Sequence, residues 1–262
     1  MAELFANALA YEALTGRWSA RLAPLFANFA RVTGGRVLDV GCGTGSLVKT
    51  LAERDPRLEI IGIDLARPFI EYARTRFSDP RIAFERASAL AMPFAPGSFD
   101  HTLSLLVLMF VPEPEKAAAE MCRVTRAGGT VAACTWDRDG LEMASIFWEE
   151  AVRLDPAAAG RADRPRHANR PGELAALWRA AGLADIEETA LEIQTDFASF
   201  DDYWQPYLRG VAPPGVYVAS LAAEPRETLR QALRSRLLSE RADGPFSLRA
   251  RAWAVRGRVP TR

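Results

Sequence analysis

Leu4, Phe5, Leu9, Leu14 and Trp18, followed by Leu22, Leu25, Phe26 and Phe29, recur at the spacing of one helix face, so residues 1–33 read as helical. The pattern then shortens. Apolar runs at 36–40, 58–63, 81–86, 99–106 and 129–136 read as five strands. Helical segments near 44–54, 66–77 and 113–126 separate the first three strands and the last two, and the link from the third strand to the fourth reads as loop. Strands alternating with helices imply a parallel sheet covered by helices on both faces. Gly128-Gly129 reads as a helix stop.

Beyond Trp136-Asp137 the pattern loosens. Residues 141–154 read as an added helix, and 155–171, rich in Ala, Arg and Pro, as an exposed connection. Pro171-Gly172-Glu173-Leu174 opens another helix that stops at Gly182. Residues 184–195 alternate as a strand, and 246–258 alternate again, with Phe246, Leu248, Ala250, Ala252, Ala254 and Arg256 on one face. Between them lie 199–222, rich in aromatics and proline, and a helix at 224–239.

The first strand carries the chemistry. Arg36-Val37-Leu38-Asp39-Val40 runs into Gly41-Cys42-Gly43-Thr44-Gly45-Ser46, and the second strand, Glu59-Ile60-Ile61-Gly62-Ile63, ends in Asp64. A glycine turn that lets backbone N–H groups approach a ligand, with an acid about 20 residues on, is how an α/β fold holds a ribose-bearing cofactor. The spacing is G-x-G-x-G rather than the dinucleotide G-x-G-x-x-G, with Ser46 in the other register. Asp39 stands two residues before the first glycine, where it would repel a pyrophosphate and attract a ligand bearing an ammonium and a sulfonium.

Val37-Leu38-Asp39-Val40-Gly41-Cys42-Gly43-Thr44-Gly45 resembles motif I of the class I S-adenosylmethionine-dependent methyltransferases, of the small-molecule, domain 11 or 25 type. The likeness continues in order over residues 35–137. Asp64 matches the ribose-binding acid. Ala91-Met92-Pro93-Phe94 and Gly97-Ser98-Phe99-Asp100 match the approach to strand four, and Glu120-Met121-Cys122-Arg123-Val124 through Gly128-Gly129 match the helix and turn before strand five. The resemblance implies one domain over 1–262, a doubly wound seven-stranded sheet of order 3-2-1-4-5-7-6 with the last strand antiparallel, a helical cap at 1–33, a cofactor core at 35–137 and a lid insertion at 199–222. It implies S-adenosylmethionine as cofactor, S-adenosylhomocysteine as product, and in-line transfer of the methyl to a small molecule.

On that resemblance Asp39 approaches the cofactor's amino group, Gly41, Gly43 and Gly45 form the turn beneath it, and Asp64 accepts the ribose hydroxyls. Leu65 packs on the adenine or serves equally as a core leucine. Where the family commonly places an adenine-binding Asp, this chain has Ser88, with the Ala89 backbone beside it. A neutral hydroxyl makes the weaker bond. Ser104 ends strand four under the cofactor, and Arg17 either pairs with the cofactor carboxylate or stands in solvent. Tyr11, Trp18, Met109, Phe110, Trp136, Tyr203 and Trp204 are expected to line the acceptor pocket, with Asp201-Asp202-Tyr203-Trp204-Gln205-Pro206-Tyr207 as a lid or, alternatively, an amphipathic helix on the domain edge. Transfer from a good sulfonium leaving group needs positioning more than a base. His101 falls at the far end of strand four and His167 in the loose Arg-rich stretch, and no catalytic residue is assigned.

Composition narrows the field. Lys+Arg and Asp+Glu are equal at 33 each, which gives no general attraction to nucleic acid or anionic membrane. Ser104-Leu105-Leu106-Val107 also replaces the Asn-Pro-Pro-Tyr type of segment used on nucleic acid. No apolar run approaches the ~20 residues of a membrane span. The start Met1-Ala2-Glu3-Leu4-Phe5 lacks a basic leader, and Cys42, Cys122 and Cys134 read as buried thiols of a cytoplasmic protein. With only two histidines and no C-x-x-C, no metal is expected. A monomer or homodimer is expected. A cofactor-binding protein without catalysis is the alternative, and a nicotinamide oxidoreductase a more distant one.

Overall fold

In a computed structural model, which describes residues 8–162, 167–210, 212–239 and 241–261, seven strands form one sheet in the order β3-β2-β1-β4-β5-β7-β6. The strands are β1 (Gly35–Val40), β2 (Leu58–Asp64), β3 (Ile82–Arg86), β4 (Phe99–Leu105), β5 (Thr125–Leu141), β6 (Ala184–Phe197) and β7 (Phe246–Arg258). The first five are parallel, and β7 runs antiparallel to both β5 and β6. The sheet order and the antiparallel last strand are those expected from the sequence.

The chain enters through α1 (Ala8–Tyr11), a π-helical turn Glu12–Gly16, and α2 (Arg17–Ala30). Leu4 and Phe5 lie outside the described residues. Helices α3 (Ser46–Arg54), α4 (Arg67–Arg76) and α5 (Pro114–Val124) connect the parallel strands. After β5 come α6 (Glu142–Leu154), a short α7 (Ala159–Ala162) and α8 (Glu173–Ala180); between β6 and β7 come α9 (Phe200–Trp204), a 3₁₀ turn Gln205–Arg209, α10 (Ala212–Ser220) and α11 (Ala223–Leu238).

Two cores follow from strand alternation. Val37 packs with α2 and α3 on one face of the sheet, while Leu38 and Val40 pack with Met121 of α5 and Trp178 of α8 on the other. The Trp178 indole N–H donates to the Val131 carbonyl at 2.9 Å, which lets a large ring enter the second core without an orphaned donor.

The sequence reading needs three boundary corrections. Helix α5 ends at Val124, and Gly128-Gly129 belong to the irregular start of β5, where pairing with β4 jumps from Phe99↔Thr125 to His101↔Thr130. Gly128 takes φ 73° there, so the glycines serve a bulge rather than a helix stop. β5 is longer than its apolar run because its polar end, Asp137 to Gly140, carries on to a last pairing of Leu141 with Ala250. Residues 155–171 are only partly an exposed connection, since Ala158, Ala168 and Asn169 are buried.

Candidate functional site

The carboxyl ends of β1, β2 and β4 meet where strand order reverses, the place an open α/β sheet offers a ligand. Asp39, one residue from the end of β1, is 1 % exposed, and neither carboxylate oxygen has a hydrogen-bond partner. Burial, reinforced by the charge of Asp64, pushes its pKa up to about 8. A carboxyl held this way has unspent capacity for a cation.

The turn after β1 holds its three glycines at φ 75°, 54° and 93°, all left-handed, but for different ends. A Cβ on Gly41 would stand 2.4 Å from the Val107 side chain, and one on Gly45 2.7 Å from the Phe77 ring. Those two answer to packing. A Cβ on Gly43 would meet only the Phe69 ring, at 3.9 Å, so here the backbone stays open to a neighbour. Asp64 closes this turn from β2. Its Oδ2 accepts from the Gly43 N–H at 3.0 Å and its Oδ1 from the Ala66 N–H at 2.8 Å. Burial raises the Asp64 pKa and these backbone donors oppose the rise. A carboxylate has about four acceptor positions, and with the Leu65 N–H also directed at Asp64 some acceptor capacity remains.

The N-terminal segment shuts over this floor. Between Tyr11 and Ser19 above and Asp39, Gly41, Gly43 and Leu105 below, only about 20 Å³ of cavity remains, room for about one water. Glu12 in the π-helical turn accepts a hydrogen bond from the Thr44 hydroxyl, with the Arg76 guanidinium 3.8 Å away. Gly16 is small because a Cβ there would sit 2.7 Å from the Glu12 carboxyl. The Tyr11 ring lies 5.0 Å from Phe69, and burial pushes its phenol up to about 12 despite a bond with Ser19. Glu12, Ser19 and Val107 escaped sequence reading because none belongs to a periodic or motif pattern; only Gly16, four residues after Glu12, hints at the fold-back.

Other expected positions separate. Leu65 is 61 % exposed at the β2 edge, which excludes the core alternative. Ser88 accepts from the Leu90 N–H at 3.2 Å within a tight turn that also presents the Ala89 backbone. Ser104 departs from its expected role, because its buried hydroxyl donates to the Val40 carbonyl at 3.0 Å and ties β4 to β1. Arg17 also departs: its Nη1 donates to Asp202 Oδ1 at 2.8 Å and its Nη2 to the Asp202 carbonyl at 3.3 Å. Trp18, Met109, Trp136, Tyr203 and Trp204 are buried in the first core rather than facing open space, and Phe110 is half-buried against it.

Segment 199–222 does lie at the carboxyl end of the sheet, since it follows the end of β6 and its Gln205–Arg209 turn touches the Glu12–Gly16 turn. The Tyr203 hydroxyl donates to the Met143 carbonyl at 3.0 Å, anchoring α9 to α6. His101 pairs in register with Val37 near the amino end of β4, and burial lowers its pKa. His167 is exposed. Leu106, just past β4, is buried with φ 63°, a strained backbone of the kind that clusters at functional sites. No group of three metal-ligating side chains and no helix long and apolar enough to cross a membrane occurs among the described residues.

Comparison with known proteins places this geometry. Residues 38–133 match the family model described as a methyltransferase domain. The demethylmenaquinone methyltransferase of Roseiflexus castenholzii is 32% identical over 164 residues, covering 58% of this chain and 69% of that protein. That of Renibacterium salmoninarum is 35% identical over 131 residues, covering 50% of this chain and 54% of that one. Among solved structures, phosphoethanolamine N-methyltransferase 2 of Haemonchus contortus, in complex with S-adenosylhomocysteine, superposes with a TM-score of 0.60 at 19% identity, covering 97% of this chain and 57% of that one. At that identity the likeness shows the shared fold.

Proposed function

The chain belongs to the class I S-adenosylmethionine-dependent methyltransferases, and on that premise we propose which of its residues hold the cofactor and where the methyl acceptor enters. Its reaction is methyl transfer to a small molecule. When bound, S-adenosylmethionine supplies an electrophilic methyl on a sulfonium whose departure as a neutral thioether needs no acid. The residues fit this group. Asp39 takes the amino group, because a buried carboxylate with both oxygens unpartnered gains most from an ammonium. Asp64 takes the ribose hydroxyls with its remaining acceptor capacity, and Gly43 exposes backbone between the two acids. Leu65 and the Ser88-Ala89 turn stand on the adenine side.

The acceptor enters where the cap meets the Gln205–Arg209 turn, with Tyr11 and Leu105 bounding the cavity beside Asp39. A ring-bearing acceptor is in keeping with the demethylmenaquinone methyltransferases among the relatives. The chain works as a monomer or homodimer in the cytoplasm, a setting in keeping with three free cysteines among the described residues, Cys42 and Cys134 of them buried.

The observation that carries the assignment is Asp39, buried and unpartnered beside the glycine turn. Thermal unfolding tests it. S-adenosylhomocysteine at ~100 times its Kd raises stability by about 2.7 kcal/mol. A shift with S-adenosylhomocysteine and none with NADH is expected; a shift with NADH alone overturns the assignment.

A further inference from the structure

With Arg17 held by Asp202, the cofactor's carboxylate needs another partner. Its place is narrowly bounded. The ammonium and carboxylate of an amino acid hang on one carbon, so an ammonium at Asp39 puts the carboxylate on the wall of the same small cavity. The hydroxyls on that wall belong to Tyr11, Ser19, Thr44 and Ser46. Ser19 donates to the Thr15 carbonyl at 3.4 Å and bonds with Tyr11. Thr44 has a cation beside it, because Arg76 Nη1 donates to the Thr44 carbonyl at 3.1 Å. A hydroxyl next to a guanidinium is a donor set for a carboxylate.

That donor set already holds one. The hydroxyl of Thr44, a residue 2 % exposed, donates to Glu12 Oε1, and Arg76 Nη1 lies 3.8 Å from the same oxygen. The acid is delivered by the π-helical turn Glu12–Gly16, a distortion that recurs at functional sites. Gly16 makes room for it, since a Cβ there would sit 2.7 Å from the Glu12 carboxyl carbon. The Glu12 and Arg76 side chains are 26 % and 35 % exposed, so solvent screening leaves the ion pair little worth for stability. Its consequence is exclusion. With Glu12 seated, about 20 Å³ remains between the cap and the glycine turn, so the cofactor and the seated Glu12 cannot share the site.

We propose that the Thr44 hydroxyl and Arg76 bind the cofactor's carboxylate, and that Glu12 is an internal competitor that occupies the same two groups and holds the cap shut until the cofactor displaces it. The inference rests on the cofactor assignment above and deepens it at the same site. The intact cofactor replaces one carboxylate by another and leaves neither donor orphaned. A nucleoside without that carboxylate breaks the Glu12 contact and puts nothing in its place, so the device selects the whole cofactor over its fragments.

Calorimetric titration of the full chain with S-adenosylhomocysteine and with decarboxylated S-adenosylhomocysteine, which keeps the nucleoside, thioether and ammonium, tests this. Wild type prefers S-adenosylhomocysteine by roughly ten-fold or more, the range for bonds to a charged group. Glu12→Gln tightens both ligands several-fold and leaves the preference in place. Thr44→Val, which keeps the shape and removes the hydroxyl, and Arg76→Gln both reduce the preference several-fold, because the decarboxylated ligand binds more tightly while S-adenosylhomocysteine loses a contact as the competitor does. An unchanged preference in both Thr44→Val and Arg76→Gln puts the carboxylate elsewhere and overturns the proposal. Unchanged affinity for both ligands in Glu12→Gln overturns it as well, since a competitor cannot be removed without effect. Failure of wild type to bind S-adenosylhomocysteine at all is a separate outcome that removes the cofactor assignment and this inference with it.

Discussion

Replacing Asp39 by Asn should change how stability depends on pH more than stability itself. In the folded, closed chain the carboxyl is held near pKa 8, against 3.8 in the reference state. The folded-state pKa lies above the unfolded one, so above pH 4 the unfolded chain releases a proton that the folded chain keeps. Unfolding is then favoured as pH rises, and the loss of stability continues until pH passes about 8, where both states are ionised. At about 1.4 kcal/mol per pH unit, Asp39 removes about 3–4 kcal/mol between pH 5 and pH 8. Asp39→Asn cannot titrate. Its amide adds a constant cost or gain, because it inherits a site without hydrogen-bond partners. Urea unfolding of both proteins at pH 5, 6, 7 and 8 gives two curves whose difference rises with pH by about that amount in favour of the variant. Parallel curves would show that the folded chain does not hold this proton, and would remove the electrostatic argument for a cation beside Asp39.

Asp64→Ala weakens S-adenosylhomocysteine binding by roughly 1.5–3 kcal/mol, the range for bonds to a charged group, measured by calorimetry; an unchanged dissociation constant would exclude Asp64 as the ribose ligand. Trp204→Ala, at a 2 % exposed ring stacked on Phe200, costs about 3–5 kcal/mol of global stability by urea unfolding, whereas a loss under 1 kcal/mol would mean that the ring faces a space rather than a core. Glu12→Ala removes the contact to Thr44 that closes the cap, so stopped-flow association of S-adenosylhomocysteine speeds up severalfold; an unchanged rate would mean that entry does not require this turn to open.

Most of the parallel half of the sheet was legible because burial on both faces makes β1 and β2 short apolar runs, and because the glycine turn needs backbone angles that other residues resist. Asp39 and Asp64 were legible for the same reason: an acid at the end of an apolar strand has few structural uses. The closure was not. Glu12 finds Thr44 across a separation of 32 residues, and Arg17 finds Asp202 across 185, pairings that no local periodicity encodes. The aromatics of α9 were conspicuous in sequence, yet a ring that lines a pocket and a ring that fills a core carry the same signature. Ser104 was misplaced because strand position gives the end of β4 but not the direction of the hydroxyl, which turns back to the Val40 carbonyl.

If the cofactor's ammonium meets Asp39, binding must expel the proton that this carboxyl holds. At pH 7 the closed chain carries the Asp39 proton, and an ammonium beside that carboxyl lets the proton go. Calorimetric titration with S-adenosylhomocysteine in phosphate and in Tris, buffers with different heats of ionisation, counts the protons exchanged. Wild type should release close to one proton per cofactor and Asp39→Asn none, with weaker binding in the variant. Tight binding by wild type with no proton released, or the same release from both proteins, would contradict the contact between the ammonium and Asp39.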